Sequence, residues 1–225
     1  MRTRPGPVPG AVPGIPSDPM SWIARLVAAD ARAVGQLRAV RELALPDWCI
    51  AAGFVRDRVW DALHGMAPRR ERHDVDVLFF DQADAGRERE ADAEARLARA
   101  FAGTAWEVRN QARMHVAKGL PPHRDTAHAM TFWLETPTAV GIRLDADDTL
   151  AVIAPFGVDD LLDLACRPTP WGATRRADYE ARIAAKRWLA HWPRLRLEAP
   201  LARADLSALG WRRTDQRVGT GFSPL

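Results

Sequence analysis

Residues 49–65 read CIAAGFVRDRVWDALHG, and residues 73–81 read HDVDVLFFD. In the first stretch an apolar run, a buried strand over 48–52, stops at Gly53, and a helical pattern begins at once. Val55, Val59, Ala62 and Leu63 share one face of a helix over 54–65, which Gly65 and Pro68 close. In the second stretch a strand over 75–80 carries two aspartates one residue apart. Side chains alternate faces along a strand, so Asp74 and Asp76 point one way and Val75 and Val77 the other. Two carboxylates on one face repel each other and call for a cation between them. A glycine-turned helix start close by offers backbone N–H groups to an anion. Paired carboxylates beside a phosphate cradle point to phosphoryl or nucleotidyl transfer assisted by a divalent metal.

Working outward, the 225-residue chain has the length for one compact domain with appended parts, and 47% hydrophobic residues permit a core. Residues 1–19 alternate Pro and Gly with small apolar residues and read as a disordered leader. A helical period runs from Met20 to about Leu45 and ends at Pro46. The stretch from Ala67 to His73 is a polar loop. Residues 84–102 form an Ala-, Glu- and Arg-rich helix. Trp106–Val108 forms a third strand, and a short helix passes through Ala129 and Phe132. AVGIRL and LAVIAP form a hairpin around DADD, and a helix follows Gly157. A basic helix spans 174–191. The domain is therefore expected over 20–198, with a loosely ordered tail over 199–225. Strands alternate with helices but include a hairpin, so the fold class is α/β (α+β), a mixed sheet with flanking helices.

Net charge is only +3, compatible with nucleotides or nucleic acid but demanding neither. The two cysteines, Cys49 and Cys166, sit in apolar contexts and read as buried free thiols in a reducing compartment. No C-x-x-C pair marks a structural zinc, and no G-x-S-x-G marks a hydrolase elbow. His73–Asp74 opens a β-type run without the further His and Asp ligands that a helical phosphohydrolase needs. No stretch has the length and apolarity of a membrane span and no signal core is present, so a cytoplasmic protein is expected.

The string AAGFVRDRVW followed by DVDV resembles the nucleotidyltransferase superfamily that includes DNA polymerase β, and especially the head of the CCA-adding enzymes. VWDALHG, WEVRNQARMH at 106–115 and the late KRWL at 186–189 resemble a compact bacterial family of nucleotidyltransferase-like proteins. The likeness covers roughly residues 20–197. One departure stands out: the superfamily usually has a second Gly or Ser at the turn, where this chain has Ala52 before Gly53 and Phe54 after it.

The resemblance implies a polymerase β-like fold. It also implies transfer of a nucleoside monophosphate from a nucleoside triphosphate to a hydroxyl of an RNA, protein or small-molecule acceptor. Asp74 and Asp76 would ligate Mg²⁺ or Mn²⁺. Glu107, flanked by Trp106 and Val108, is preferred as the third carboxylate over Asp145, which more simply starts a turn. Gly53 and the helix it opens would cradle phosphate. Arg56 would reach phosphate or pair with Asp57. Asn110, Arg113 and His115 would line the nucleotide pocket, and Lys186 would contact the triphosphate. A CCA-adding role is not expected, because the chain leaves no room for the helical RNA-binding body. An inactive nucleotide- or RNA-binding relative is one alternative, discriminated by whether Glu107 meets the aspartates. A toxin–antitoxin enzyme modifying tRNA or protein is another. An exposed Trp133 or Trp171 would mark a stacking site.

Overall fold

A computed structural model describes residues 18–67 and 74–200. The leader to Ser17, the loop from Pro68 through His73 and the tail from Leu201 lie outside the described residues.

Two helices open the fold, α1 (Pro19–Ala28) and α2 (Ala31–Arg41). The single helix expected over 20–45 is thus broken. Asp30 stands between its halves in extended conformation, and its carboxylate accepts from the N–H groups of Arg32 and Ala33. An aspartate that caps a new helix outcompetes continuation of the old one. Asp30 also accepts from Arg58 at 2.9 Å, which ties the helix junction to the next element but one.

Strand β1 (Cys49–Ala51) leads into α3 (Gly53–Leu63), and then come β2 (Asp74–Phe79), α4 (Glu88–Ala100) and β3 (Ala105–Asn110). Short helices α5 (Gln111–Met114) and α6 (Thr126–Met130) precede the hairpin β4 (Gly141–Leu144) and β5 (Leu150–Ile153). The sheet order is β3-β2-β1-β4-β5, with β2 and β3 parallel and the other pairs antiparallel. This is the expected mixed sheet with flanking helices.

The chain then runs through α7 (Asp159–Leu162), β6 (Ala165–Cys166), α8 (Pro170–Thr174), α9 (Arg176–Lys186), α10 (Trp188–His191) and β7 (Arg196–Leu197). The basic helix expected over 174–191 is interrupted at Arg187, whose φ of 51° is left-handed. That break re-aims α10 so that Trp188 and Trp192 pack edge-on against Trp60 of α3, at 5.6 and 4.9 Å between ring centroids.

The alternation of β2 divides the sheet into two faces. Val75, Val77 and Phe79, with Ile50, Val108 and Ile142 of neighbouring strands, join the main core under the helices. Asp74, Asp76 and Leu78 face the other way, where, among the described residues, a small cluster of Cys49, Ala51, Leu78, Met130, Ala139 and Phe156 packs on the sheet. Both cysteines are free and buried. Burial pushes the Cys166 thiol up to about 12, so it behaves as a packed apolar group.

Candidate active site

On the thinly covered face, register decides which side chains meet. Asp76 of β2 lies beside Glu107 of β3 and beside Ala51 of β1. Pairing of strands places partners on the same face, so Glu107 joins the two aspartates. Each of Asp74, Asp76 and Glu107 offers an oxygen, and these oxygens all lie within 4.8 Å of one another. Asp145, the rival third carboxylate, follows β4 and pairs with Arg143 at 2.8 Å; it is outside this group.

The trio is electrostatically crowded. Burial, reinforced by the charges of Asp74 and Glu107, pushes Asp76 up to about 6, against the pull of Arg56 and Arg182. Three hard oxygen donors in like-charge contact fit a divalent cation of the Mg²⁺ or Mn²⁺ type, which would relieve the repulsion. Asp74 is the exposed member of the trio, while Glu107 is half-buried and lies 3.3 Å from Arg109.

The trio borders a cavity of about 870 Å³ together with Ala52, Gly53, Lys186, Arg187 and His191. The N-terminus of α3 opens into it, and an 11-residue helix directs partial positive charge there. The sharp bend expected at Gly53 falls one residue earlier. Ala52 takes φ 54° and ψ −122°, a conformation that disfavours any Cβ, while Gly53 is already helical. A Cβ on Gly53 would meet Asp57 at 3.5 Å, ordinary contact, so its glycine serves neither backbone strain nor packing and leaves the helix start uncovered toward the cavity.

Of the two expectations for Arg56, the pairing with Asp57 is the one that forms. Its guanidinium donates to Asp57 at 2.8 Å and to Thr138 at 2.8 Å, and it also borders the cavity. It stacks over Trp188 at 4.4 Å and Trp60 at 5.2 Å. Arg56 is therefore a fixed charge in the wall. Lys186, by contrast, is exposed and lines the cavity.

Asn110 and Arg113 are not brought to the site. Asn110 is wholly buried; its amide donates to the carbonyls of Asp81 and Asp84 at 2.8 Å, and its oxygen caps α5. Arg113 forks onto buried Glu90 of α4. Along β3, Asn110 is three residues from Glu107 and so falls on the opposite face, against α4. His115 packs against His123 at 5.8 Å, away from the acids.

Two functional candidates carried no signal in the sequence. Arg182 of α9 borders the large cavity and also a smaller one of about 450 Å³. It is held by Glu135, 1% exposed, at 2.9 Å. Their 47-residue separation hides the pairing, although Arg182 and Lys186, four apart on α9, share a helix face that periodicity could have revealed.

Residues 38–197 match the model of a family described as Nucleotidyltransferase. Among solved structures, one described as revealing a CCA-adding enzyme head domain is 30% identical. It gives a TM-score of 0.71 and covers 80% of this chain and 95% of its own. A CCA-adding enzyme in complex with ATP is 18% identical, with a TM-score of 0.53 over 78% of this chain and 43% of that one. The Thermotoga maritima CCA-adding enzyme complexed with tRNA gives 18% and 0.52, over 78% and 42%. At that identity the likeness concerns the fold alone, and the chain spans less than half the length of those two enzymes. No curated protein matches.

Proposed function

The chain belongs to the nucleotidyltransferase family, and from that premise we propose that it moves a nucleoside monophosphate from a nucleoside triphosphate to an acceptor hydroxyl. The observation that carries the reading is the meeting of Asp74, Asp76 and Glu107 at the edge of a cavity that Arg56, Arg182, Lys186 and Arg187 also line. Asp74, Asp76 and Glu107 would hold Mg²⁺ or Mn²⁺. When bound, such an ion neutralises phosphate charge and eases loss of the acceptor proton.

The remaining roles belong to the chain itself. The α3 N-terminus, Lys186 and Arg187 receive the β- and γ-phosphates. Arg182, at the seam between the two cavities, faces the transferring α-phosphoryl group. The acceptor oxygen bonds to the α-phosphorus as the bond to the β-phosphate bridging oxygen breaks, and pyrophosphate leaves with those electrons. Glu107, on the edge strand β3 beside Asp76, takes the acceptor proton. Its place beside the aspartates supports transfer over binding without chemistry.

The acceptor class stays open among RNA, protein and small molecules. It is identified by incubating the protein with each α-³²P-labelled triphosphate and Mg²⁺, with and without cell extract. Label is expected to move onto one species with release of pyrophosphate, and Asp74→Ala is expected to abolish this. Equal labelling by Asp74→Ala would refute the assignment. Label on tRNA or on one partner protein would favour a toxin–antitoxin role.

A further inference from the structure

We propose that the smaller cavity seats the nucleoside of the donor triphosphate, with Trp171 as its stacking face. The inference rests on the transfer reading above and names where the donor's nucleoside lies.

The two cavities share Ala52, Asp76 and Arg182 and are otherwise lined differently. The larger sets Arg56, Arg182, Lys186 and Arg187 across from the acids and is open to the α3 N-terminus, chemistry that suits metal-bound phosphates. The smaller has Phe132, Trp133 and Trp171 in its wall, with Lys118 and Arg175 beside Glu135 and Asp178. Flat π surfaces beside cations are what a nucleobase joined to a phosphate requires.

In-line displacement fixes the remaining directions. With the α-phosphoryl group at the Asp76–Arg182 seam, pyrophosphate departs toward Gly53 and the acceptor enters from the opposite side, over Glu107. Gly53 and Glu107 both border the larger cavity and neither borders the smaller. Beside the two non-bridging oxygens, the nucleoside is the substituent of the α-phosphorus left to place, and among the described residues the aromatic cavity adjoins the seam to receive it.

The rings are fixed in position. Phe132 and Trp171 meet at 72° with centroids 5.9 Å apart, a corner that offers a base a face from one ring and an edge from the other. Phe132 is backed by His123 at 5.2 Å and His128 at 5.3 Å. Trp171 is set by the cap of α8, where Thr169 Oγ1 accepts from Gly172 N–H at 2.9 Å. Gly172 has no room for a side chain, since a Cβ would come within 2.1 Å of the Leu134 carbonyl oxygen. That close approach locks α8 against the segment carrying Phe132 and Trp133. Arg175 lies over Trp171 at 5.6 Å.

The test is binding of ATP, CTP and inorganic tripolyphosphate to the full chain by calorimetry with Mn²⁺, without acceptor. Wild type is expected to bind at least one nucleotide about tenfold more tightly than tripolyphosphate. Trp171→Ala is expected to remove that increment and leave tripolyphosphate affinity within about twofold, which also reports an intact fold. Trp171→Phe should retain most of it. Unchanged nucleotide affinity in Trp171→Ala, or equal weakening of both ligand types, would overturn the proposal. Wild type that binds tripolyphosphate as well as any nucleotide overturns the seat and spares the transfer reading. Binding of neither ligand defeats both.

Discussion

The two faces of the central sheet are built from the same strands and could hardly differ more. Val75, Val77 and Phe79 of β2 are at most 2% exposed beneath helices, in a core that also takes Ile50, Val108 and Ile142. One residue out of step, Asp74 and Asp76 stand on a face where, among the described residues, a small apolar cluster and Arg182 of α9 flank an open cavity. The period of two lets one strand serve stability and chemistry at once, each side chain committed by its parity. The helical side supplies the free energy that tolerates carboxylate crowding on the other.

Adjacent substitutions on β2 break this comparison most sharply. Asp76→Asn is expected to lower transfer by about 10³-fold or more, since a metal-holding carboxylate is lost. Its melting temperature without divalent ions should hold or rise, because like-charge crowding is relieved. Val77→Asp, one residue on, is expected to do the reverse. It places an unpaired charge at a site with 0% exposure, costing about 3–5 kcal/mol, enough to lower Tm by roughly 10 °C or abolish soluble expression. Comparable melting of the two variants would show that the faces are not energetically distinct.

A second contrast separates charge that touches substrate from charge that holds it in place. Arg182→Ala is expected to lower kcat/KM about 10²-fold, comparable to loss of one preorganised donor to a transition state. Glu135→Gln leaves the guanidinium present but no longer ion-paired, and about a tenfold loss is expected, mainly in kcat. Millimolar guanidinium should partly restore Arg182→Ala and leave Glu135→Gln unmoved. Restoration of neither would assign Arg182 to structure alone.

How much of this was legible follows from where each signal lives. The aspartate pair declared itself because alternation is local, and the helix after Gly53 declared itself by periodicity. Asn110 and Arg113 were misplaced by proximity to Glu107 in sequence, although the same alternation puts Asn110 on the far face, where α4 supplies Glu90. The apolar period over 20–45 continues across Asp30, so the break shows only in the fold, where its carboxylate caps α2. Glu135 and Arg182 meet only through the docking of α9, a tertiary event with no local trace. Trp171 lay between: an aromatic that marks a stacking site if accessible, with accessibility a property of the fold.

The cover of the open face is also the more titratable. Burial, with His128, His115 and Lys118 nearby and Asp125 opposing them, pulls His123 from 6.5 down to about 4. Between those values the unfolded chain binds a proton that the folded chain refuses. Stability from this group is therefore complete above about pH 6.5 and declines as pH falls toward 4. His123→Phe should flatten that part of the Tm–pH curve. An unchanged slope would place the acid sensitivity elsewhere.

The smallest expected effect lies at the crossing between the faces. The chain leaves β1 on the sheet and enters α3 on the helical side through Ala52, whose φ of 54° and ψ of −122° suit glycine. Its N–H donates to Val140 at 2.9 Å and its carbonyl accepts from Arg56 N–H at 3.0 Å, so the conformation is imposed from both sides. Ala52→Gly should relieve about 1–3 kcal/mol of strain and, after about 0.4–1 kcal/mol of extra unfolded-chain entropy, stabilise the fold by a net of about 1 kcal/mol. That corresponds to a Tm rise of roughly 2–4 °C. The same substitution loosens the wall common to both cavities. If the strain orients the α3 N-terminus toward the phosphates, Ala52→Gly will gain stability and weaken tripolyphosphate binding together. A gain in Tm with binding unchanged would make the bend a structural residue of the crossing and nothing more.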